Sequence, residues 1–288
     1  MTEPRKSRHI AFLHEPVPDH GRATPEAEGV RRIVAANPGP MTYHGTNTFL
    51  VEGAGGSIVV DPGPDLPDHV AAILRATGGR VSAIVVGHGH GDHAGAADRL
   101  RVATGAPVCA APLPPVAERV TIDRPLAEGD RIGDLEVLAT PGHSRDHLCL
   151  VRAADGLLFS GDHVMTWSSS VVPPQHGHMG DYMRSLDRLV ARDDAVLLPG
   201  HGPRMPRPRA FCRALLHLRQ RREAQVLRAL SEGPAGLPDL VRRLYPHQTD
   251  DRTIRAAGFT LLAHLRKLAE EGRAREVAPD SWALDAGA

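Results

Sequence analysis

Aromatic residues make up only 3% of this 288-residue sequence, and of its 34 basic residues only Lys6 and Lys267 are lysine. So few rings leave little on which nucleobases could stack. Cysteine is nearly as scarce: Cys109, Cys149 and Cys212 are an odd number at wide spacings with no C-x-x-C pair, which argues against a disulfide framework or a cysteine-based zinc site. No stretch of about 18 apolar residues occurs. The amino-terminal MTEPRKSRHIAFLHEPVPDH is broken by charges and prolines and has no apolar signal core. These absences predict a cytoplasmic protein with no membrane partner. Net charge is formally +0, yet residues 199–273 carry 15 Lys/Arg against 7 Asp/Glu. Such a basic stretch marks either a surface for an anionic partner such as RNA or a solvated arginine-rich helix.

What is present is an alternation of short β-branched runs with helical patterns. GVRRIVAAN, NTFLVEG and GSIVVDPG have strand character, LPDHVAAILRATGG has helical spacing, and VSAIVVG is a short apolar run bounded by glycine, as in a buried strand. DLEVLATPG, HLCLVRA, LLFSGD and AVLLPGHG add four strand-like runs, with the amphipathic helix DYMRSLDRLVARD between the last two. Composition shifts at the Pro/Arg stretch PGHGPRMPRPRA. Three helical segments and a terminal hairpin then follow in the order of a winged helix-turn-helix. The predicted organisation is a catalytic domain over residues 1–203 and a helical domain over 204–288.

The chemistry concentrates in GHGHGDHAGA, just beyond a core strand. On extended backbone His88 and His90 point to the same side, while Asp92 and His93, where the chain turns into a helix, face a second point. Imidazole and carboxylate suit a borderline cation such as Zn²⁺. Three further fragments each place a His or Asp after a strand-like run: His143 in TPGHSRDH, Asp162 in FSGDH and His201 in LPGHGP.

The order H-x-H-x-D-H, then G-H, G-D and G-H, resembles the metallo-β-lactamase superfamily from about Thr42 to Pro203. GTNTFLV, VVDPGP, TPGHSRDH and the terminal winged helix resemble its lactamase-β-2-like branch. The resemblance implies a four-layer αβ/βα sandwich with a small C-terminal winged-helix domain. It implies that His88, His90 and His143 hold one metal, that Asp92, His93 and His201 hold a second, and that Asp162 bridges them. Asp92 and Asp162 are then the catalytic carboxylates. The implied cofactor is two Zn²⁺ ions, with Mn²⁺ or Fe as substitutes in such N/O sites, and the implied attack is by hydroxide held between them. Gly87, Gly89 and Gly91 depart from the larger spacers usual in the family and leave the pocket wall bare. No cysteine stands where antibiotic-degrading lactamases supply one, which argues against true β-lactamase activity.

Tyr43, Asn47, Trp167, His176 and His178 are the candidate substrate contacts, the last three in or beside TWSSSVVPPQHGHMG, a loop placed to cover the site. Asp146 and His147 are candidate supports for His143. The leading expectation is a hydrolase of a small ester, thioester or lactone. The alternatives are cleavage of single-stranded RNA aided by the basic C-terminal region, and a DNA-binding regulator using Arg252, Arg255, Arg266 and Lys267. A homodimer is compatible with the sequence.

Overall fold

The computed structural model describes residues 10–247 and 249–285. One seven-stranded sheet runs in chain order through Thr24–Ala27, Val30–Val34, Asn47–Val51, Ser57–Val60, Val81–Val86, Val108–Ala110 and Arg124–Pro125. The first four strands pair antiparallel and the rest parallel. A six-stranded sheet has the order Met205–Pro206, Val196–Pro199, Leu157–Gly161, Leu148–Arg152, Leu135–Ala139, Arg131–Ile132.

Successive side chains on a strand face opposite ways, and here both faces are covered. Phe49, Val51, Ile58, Val60 and Val85 of the first sheet pack on Val137, Leu148, Leu150, Phe159 and Leu198 of the second, with the Phe49 and Phe159 rings edge-to-face at 5.3 Å. The alternate residues point outward. Leu50, Val59 and Ile84 meet Val70, Ile73 and Leu100 of helices Pro67–Thr77 and Ala97–Thr104. Cys149, Leu158 and Leu197 meet Tyr182, Leu186 and Leu215 of helices Met179–Val190 and Arg209–Ser231. The layers are therefore helix, sheet, sheet, helix, as expected. Coverage on both sides is why these strands are continuous apolar runs instead of alternating ones. Strands Thr24–Ala27 and Val108–Ala110 escaped the sequence reading because three or four residues are too short to show a period.

A second core gathers Val226, Leu230, Leu240, Leu261, Leu265, Leu268 and Trp282. It joins helices Leu237–Leu244 and Asp251–Glu270 to a three-stranded sheet of Ala235–Gly236, Ser281–Leu284 and Ala274–Ala278. Asp250 starts the longer helix by accepting from the Thr253 backbone N–H at 2.9 Å. Helix Arg209–Ser231 belongs to both cores: Phe211, Cys212 and Leu215 lie in the sandwich, whereas Val226 and Leu230 lie in the winged helix. No helix among the described residues is long and apolar enough to cross a membrane.

Candidate metal centre

The centre is assembled at strand ends. Strand Ser57–Val60 delivers Asp61 in a left-handed conformation (φ 51), and its carboxylate accepts from the Gly87 N–H at 2.7 Å and faces His93 Nδ1 at 2.9 Å. One side chain thus ties the end of strand Val81–Val86 to a residue on the helical turn Gly91–Ala94. Asp146 performs a similar task one step on: it accepts from the N–H groups of Gly89 at 2.8 Å and Val116 at 2.9 Å, and from the Ser144 hydroxyl. The spacer Gly89 is required by this approach, since a Cβ there would lie 2.2 Å from the Val116 nitrogen. The expectation of a bare pocket wall is corrected accordingly. Backbone of the segment around Val116 occupies the space beside Gly89, and Arg119, which donates to the Gly89 carbonyl at 2.7 Å, occupies the space beside Gly91.

All seven predicted ligands converge. His90 Nδ1 lies 3.0 Å from both His88 Nε2 and His143 Nε2, and these three with Asp162 form one cluster whose donor atoms are within 4.8 Å of one another. Asp92, His93 and His201 form a second, with His201 Nε2 at 3.2 Å from Asp92 and 3.3 Å from His93 Nε2. Asp162 stands between them: Oδ1 is 3.3 Å from His93 and 3.4 Å from His201, while Oδ2 is 3.7 Å from His143.

The electrostatics divide the two clusters. Burial, reinforced by neighbouring imidazoles, pushes His88 well below the ordinary histidine range and His90 down to about 3. Their lone pairs are therefore free at neutral pH. In the second cluster burial also disfavours the cationic ring, but the carboxylates overcome it. Asp162, Asp92 and Asp61 hold His93 well above its ordinary value, and Asp162 and Asp92 raise His201 to about 9. Reciprocally, and against burial, His93 and His201 hold Asp92 and Asp162 well below the usual carboxylate range.

This donor set fits a pair of cations. Asp162 Oδ1 is buried without a hydrogen-bond partner, and imidazole and carboxylate donors suit Zn²⁺ at roughly 2.0–2.2 Å. The cradle is also kept open: a Cβ on Gly200 would lie 2.6 Å from His93 Cε1 and 2.7 Å from Asp162 Oδ1.

The supporting contacts differ from those predicted. The partner of His143 Nδ1 is the Val171 carbonyl at 2.7 Å, in place of Asp146 or His147. His147 supports Asp162 instead, accepting from its backbone N–H at 3.2 Å. Asp61, which no spacing argument singled out, is the residue sequence reasoning missed; its only local signal is an aspartate closing an apolar run before Pro-Gly.

The candidate substrate contacts are dispersed. Asn47 is buried and donates to the Pro199 and Gly202 carbonyls, both at 2.9 Å, bracing the turn that carries His201. The Tyr43 hydroxyl donates to the Glu15 carbonyl at 3.2 Å, and its ring stacks on Trp167 at 4.9 Å. His178 caps helix Met179–Val190 through Nδ1 and meets Glu270 at 2.7 Å through Nε2, so both ring nitrogens are engaged. His176 is half-buried.

Residues 41–201 match the family described as "Metallo-beta-lactamase superfamily". The chain belongs to this superfamily. Residues 237–282 match the "Beta-lactamase associated winged helix domain". This metallo-beta-lactamase superfamily member is 30% identical over 220 residues to the beta-lactamase-like protein 2 homolog of Caenorhabditis elegans, covering 72% of each chain. It is 31% identical over 230 residues to the atrochrysone carboxyl ACP thioesterase of Aspergillus chevalieri, covering 75% of this chain and 70% of that one. A beta-lactamase domain protein from Burkholderia ambifaria superposes over 94% of this chain and 95% of its own, with a TM-score of 0.78 and 25% identity. Members of the superfamily are generally hydrolases and typically bind divalent metals.

Proposed function

We propose that this protein is a dinuclear metal-dependent hydrolase of an acyl thioester, ester or lactone, with zinc as the first candidate metal. The observation that carries the reading is Asp162, one carboxylate set between two complete donor clusters. His88, His90 and His143 would hold one divalent cation and Asp92, His93 and His201 a second, with Asp162 within reach of both; such a pair would supply an activated water and an electrophile for the substrate oxygen.

The protein's own contribution is orientation. The Val171 carbonyl, Asp61 and the Gly45 carbonyl face Nδ1 of His143, His93 and His201 respectively, an orientation that turns each Nε2 toward the centre and would leave its lone pair for a cation that displaces the proton. Asp92 keeps 27% of its side chain exposed, whereas His93 and His201 expose none. It is the carboxylate of the second cluster placed to accept a hydrogen bond from, and so orient, an attacking water. The thioesterase relative supports a carbonyl substrate.

Cleavage of RNA is the weaker reading, because aromatic residues on which bases could stack are few and part of the basic charge is already paired with carboxylates. Lys267 lies 2.7 Å from both Glu223 and Glu271, Arg273 lies 2.7 Å from Glu223, and Arg243 lies 3.4 Å from Glu232.

The test is elemental analysis followed by a panel of acyl thioesters, lactones and single-stranded RNA. The expected outcome is close to two divalent ions per chain, turnover on a carbonyl substrate, and none on RNA. Steeply salt-dependent RNA binding with RNA cleavage would overturn the assignment.

A further inference from the structure

A cavity of about 300 Å³ lies between the covering loop and the winged helix. Its sandwich side sets Met41, Met165 and Trp167 beside the serine run 168–170; its opposite side is Tyr245 with Ala256 and Ala257 of helix Asp251–Glu270. Two arginines, Arg219 and Arg252, also line it, and no Asp or Glu does. The cavity begins at the metal centre's own supports. Trp167 packs on Gly202, the neighbour of His201, and the Val171 carbonyl that faces His143 belongs to another lining residue. The lining therefore touches His143 directly through Val171 and approaches His201 through Gly202.

Two cationic side chains border the cavity. Arg219 is buried; one terminal nitrogen donates to the Ser170 carbonyl and its guanidinium lies 5.1 Å from the Tyr182 ring centroid. Arg252 sits exposed on the first helical turn, and its charge acts on the capping Asp250. A slot lined by Met, Trp, Tyr and Ala side chains, with two arginines and no Asp or Glu, suits a ligand that is mostly hydrocarbon and carries one negative charge.

We infer that this cavity binds the part of the substrate remote from the scissile bond, and that this part is an apolar chain bearing a single anionic group received by Arg252 and Arg219. The inference rests on the hydrolase reading for its connection to catalysis, and its binding test is independent of turnover. The metal-loaded full-length protein is titrated with octanesulfonate, whose head group is a poor ligand for cations, and with octanol. Tryptophan emission is followed, Trp167 lying in the cavity and Trp282 in the winged-helix core.

Octanesulfonate is expected to bind about tenfold more tightly than octanol, as one charge-assisted contact warrants. Arg252→Ala should erase that difference and Arg252→Lys retain part of it, while Ala256→Phe, which fills the apolar wall, should weaken both ligands. Equal affinities in the wild type, or a difference untouched by Arg252→Ala, would overturn the inference. So would a single-stranded oligoribonucleotide that perturbs the emission in an Arg252-dependent way where octanesulfonate does not. Arg252-dependent octanesulfonate binding without turnover of any thioester, ester or lactone would support the cavity and sink the hydrolase reading. Turnover with no response to octanesulfonate would do the reverse.

Discussion

Charged side chains are used in opposite ways in the two halves of this molecule. At the strand ends of the sandwich, seven His and Asp residues are aimed at one another with too few protons and hydrogens to satisfy them: nitrogen faces nitrogen at 3.0 Å, and a carboxylate oxygen is buried without a donor. In the winged helix and the long helix that feeds it, several charged groups are met within the fold. Glu223, buried, receives Lys267 and Arg273 at 2.7 Å each; Arg222 donates to the Leu244 carbonyl and lies 3.9 Å from the Tyr245 ring centroid. Polar groups that a fold leaves unsatisfied cost stability and persist for a ligand, whereas groups it satisfies internally serve the fold.

The strongest way to break this contrast is to remove a ligand. Asp162→Ala and His90→Ala should each lower kcat by more than the roughly 10–100-fold that loss of an outer partner costs, with the circular dichroism of the wild type retained. Unchanged turnover in either variant would refute the assignment. Next in size, Asp61→Asn keeps the shape but weakens the charge held against His93, and metal affinity should fall roughly 10–100-fold, read by competition with a chelator. An unaltered chelator midpoint would mean that Asp61 only braces the Gly87 turn.

In the other half the expected effects are on stability. Glu223→Gln removes the carboxylate that Lys267 and Arg273 each reach at 2.7 Å and leaves them Glu271 alone. Since Arg273 is 42% exposed, the cost should stay below that of a fully buried pair, about 2 kcal/mol, visible as a Tm lowered by several degrees with metal content unchanged.

The smallest effect sits at an exception to the contrast. His264 is fully buried in the winged-helix half with neither ring nitrogen bonded, and burial, aided by Arg219, Lys267 and Arg222, holds it well below the ordinary histidine range. Its folded value lies below its unfolded one, so above about pH 6.5 both states are neutral and the group is indifferent to pH. Below that the unfolded chain binds the proton first and stability falls. His264→Leu should therefore be neutral or stabilising by about 1 kcal/mol at pH 7, and should flatten the loss of Tm between pH 6.5 and 4.5. A steeper acid loss in the variant would contradict it.

Much of the centre was legible because its ligands are locally dense: four of seven fall within six residues, and the other three each follow an apolar run and a glycine. Asp61 was not legible. One aspartate after a strand looks like any turn residue until His93 is brought to 2.9 Å across 32 positions of chain. The spacer glycines misled for a related reason, since openness in sequence says nothing of what packs beside them. Gly89 is small because the Val116 backbone arrives there. The basic stretch 199–273 was equally ambiguous, as a count of arginines cannot tell which ones face a carboxylate.

By itself the sequence determined the alternation of buried strands and amphipathic helices, the order of the ligand motifs and the presence of a helical appendage, because periodicity and residue chemistry are local properties. Tertiary structure alone decided that Val171 and Asp61 face Nδ1 of His143 and His93, that the Val116 backbone fills the space beside Gly89, and that a cavity with two arginines opens between sandwich and winged helix. Each of these depends on distances between segments far apart in the chain, and such distances are set by how the layers pack.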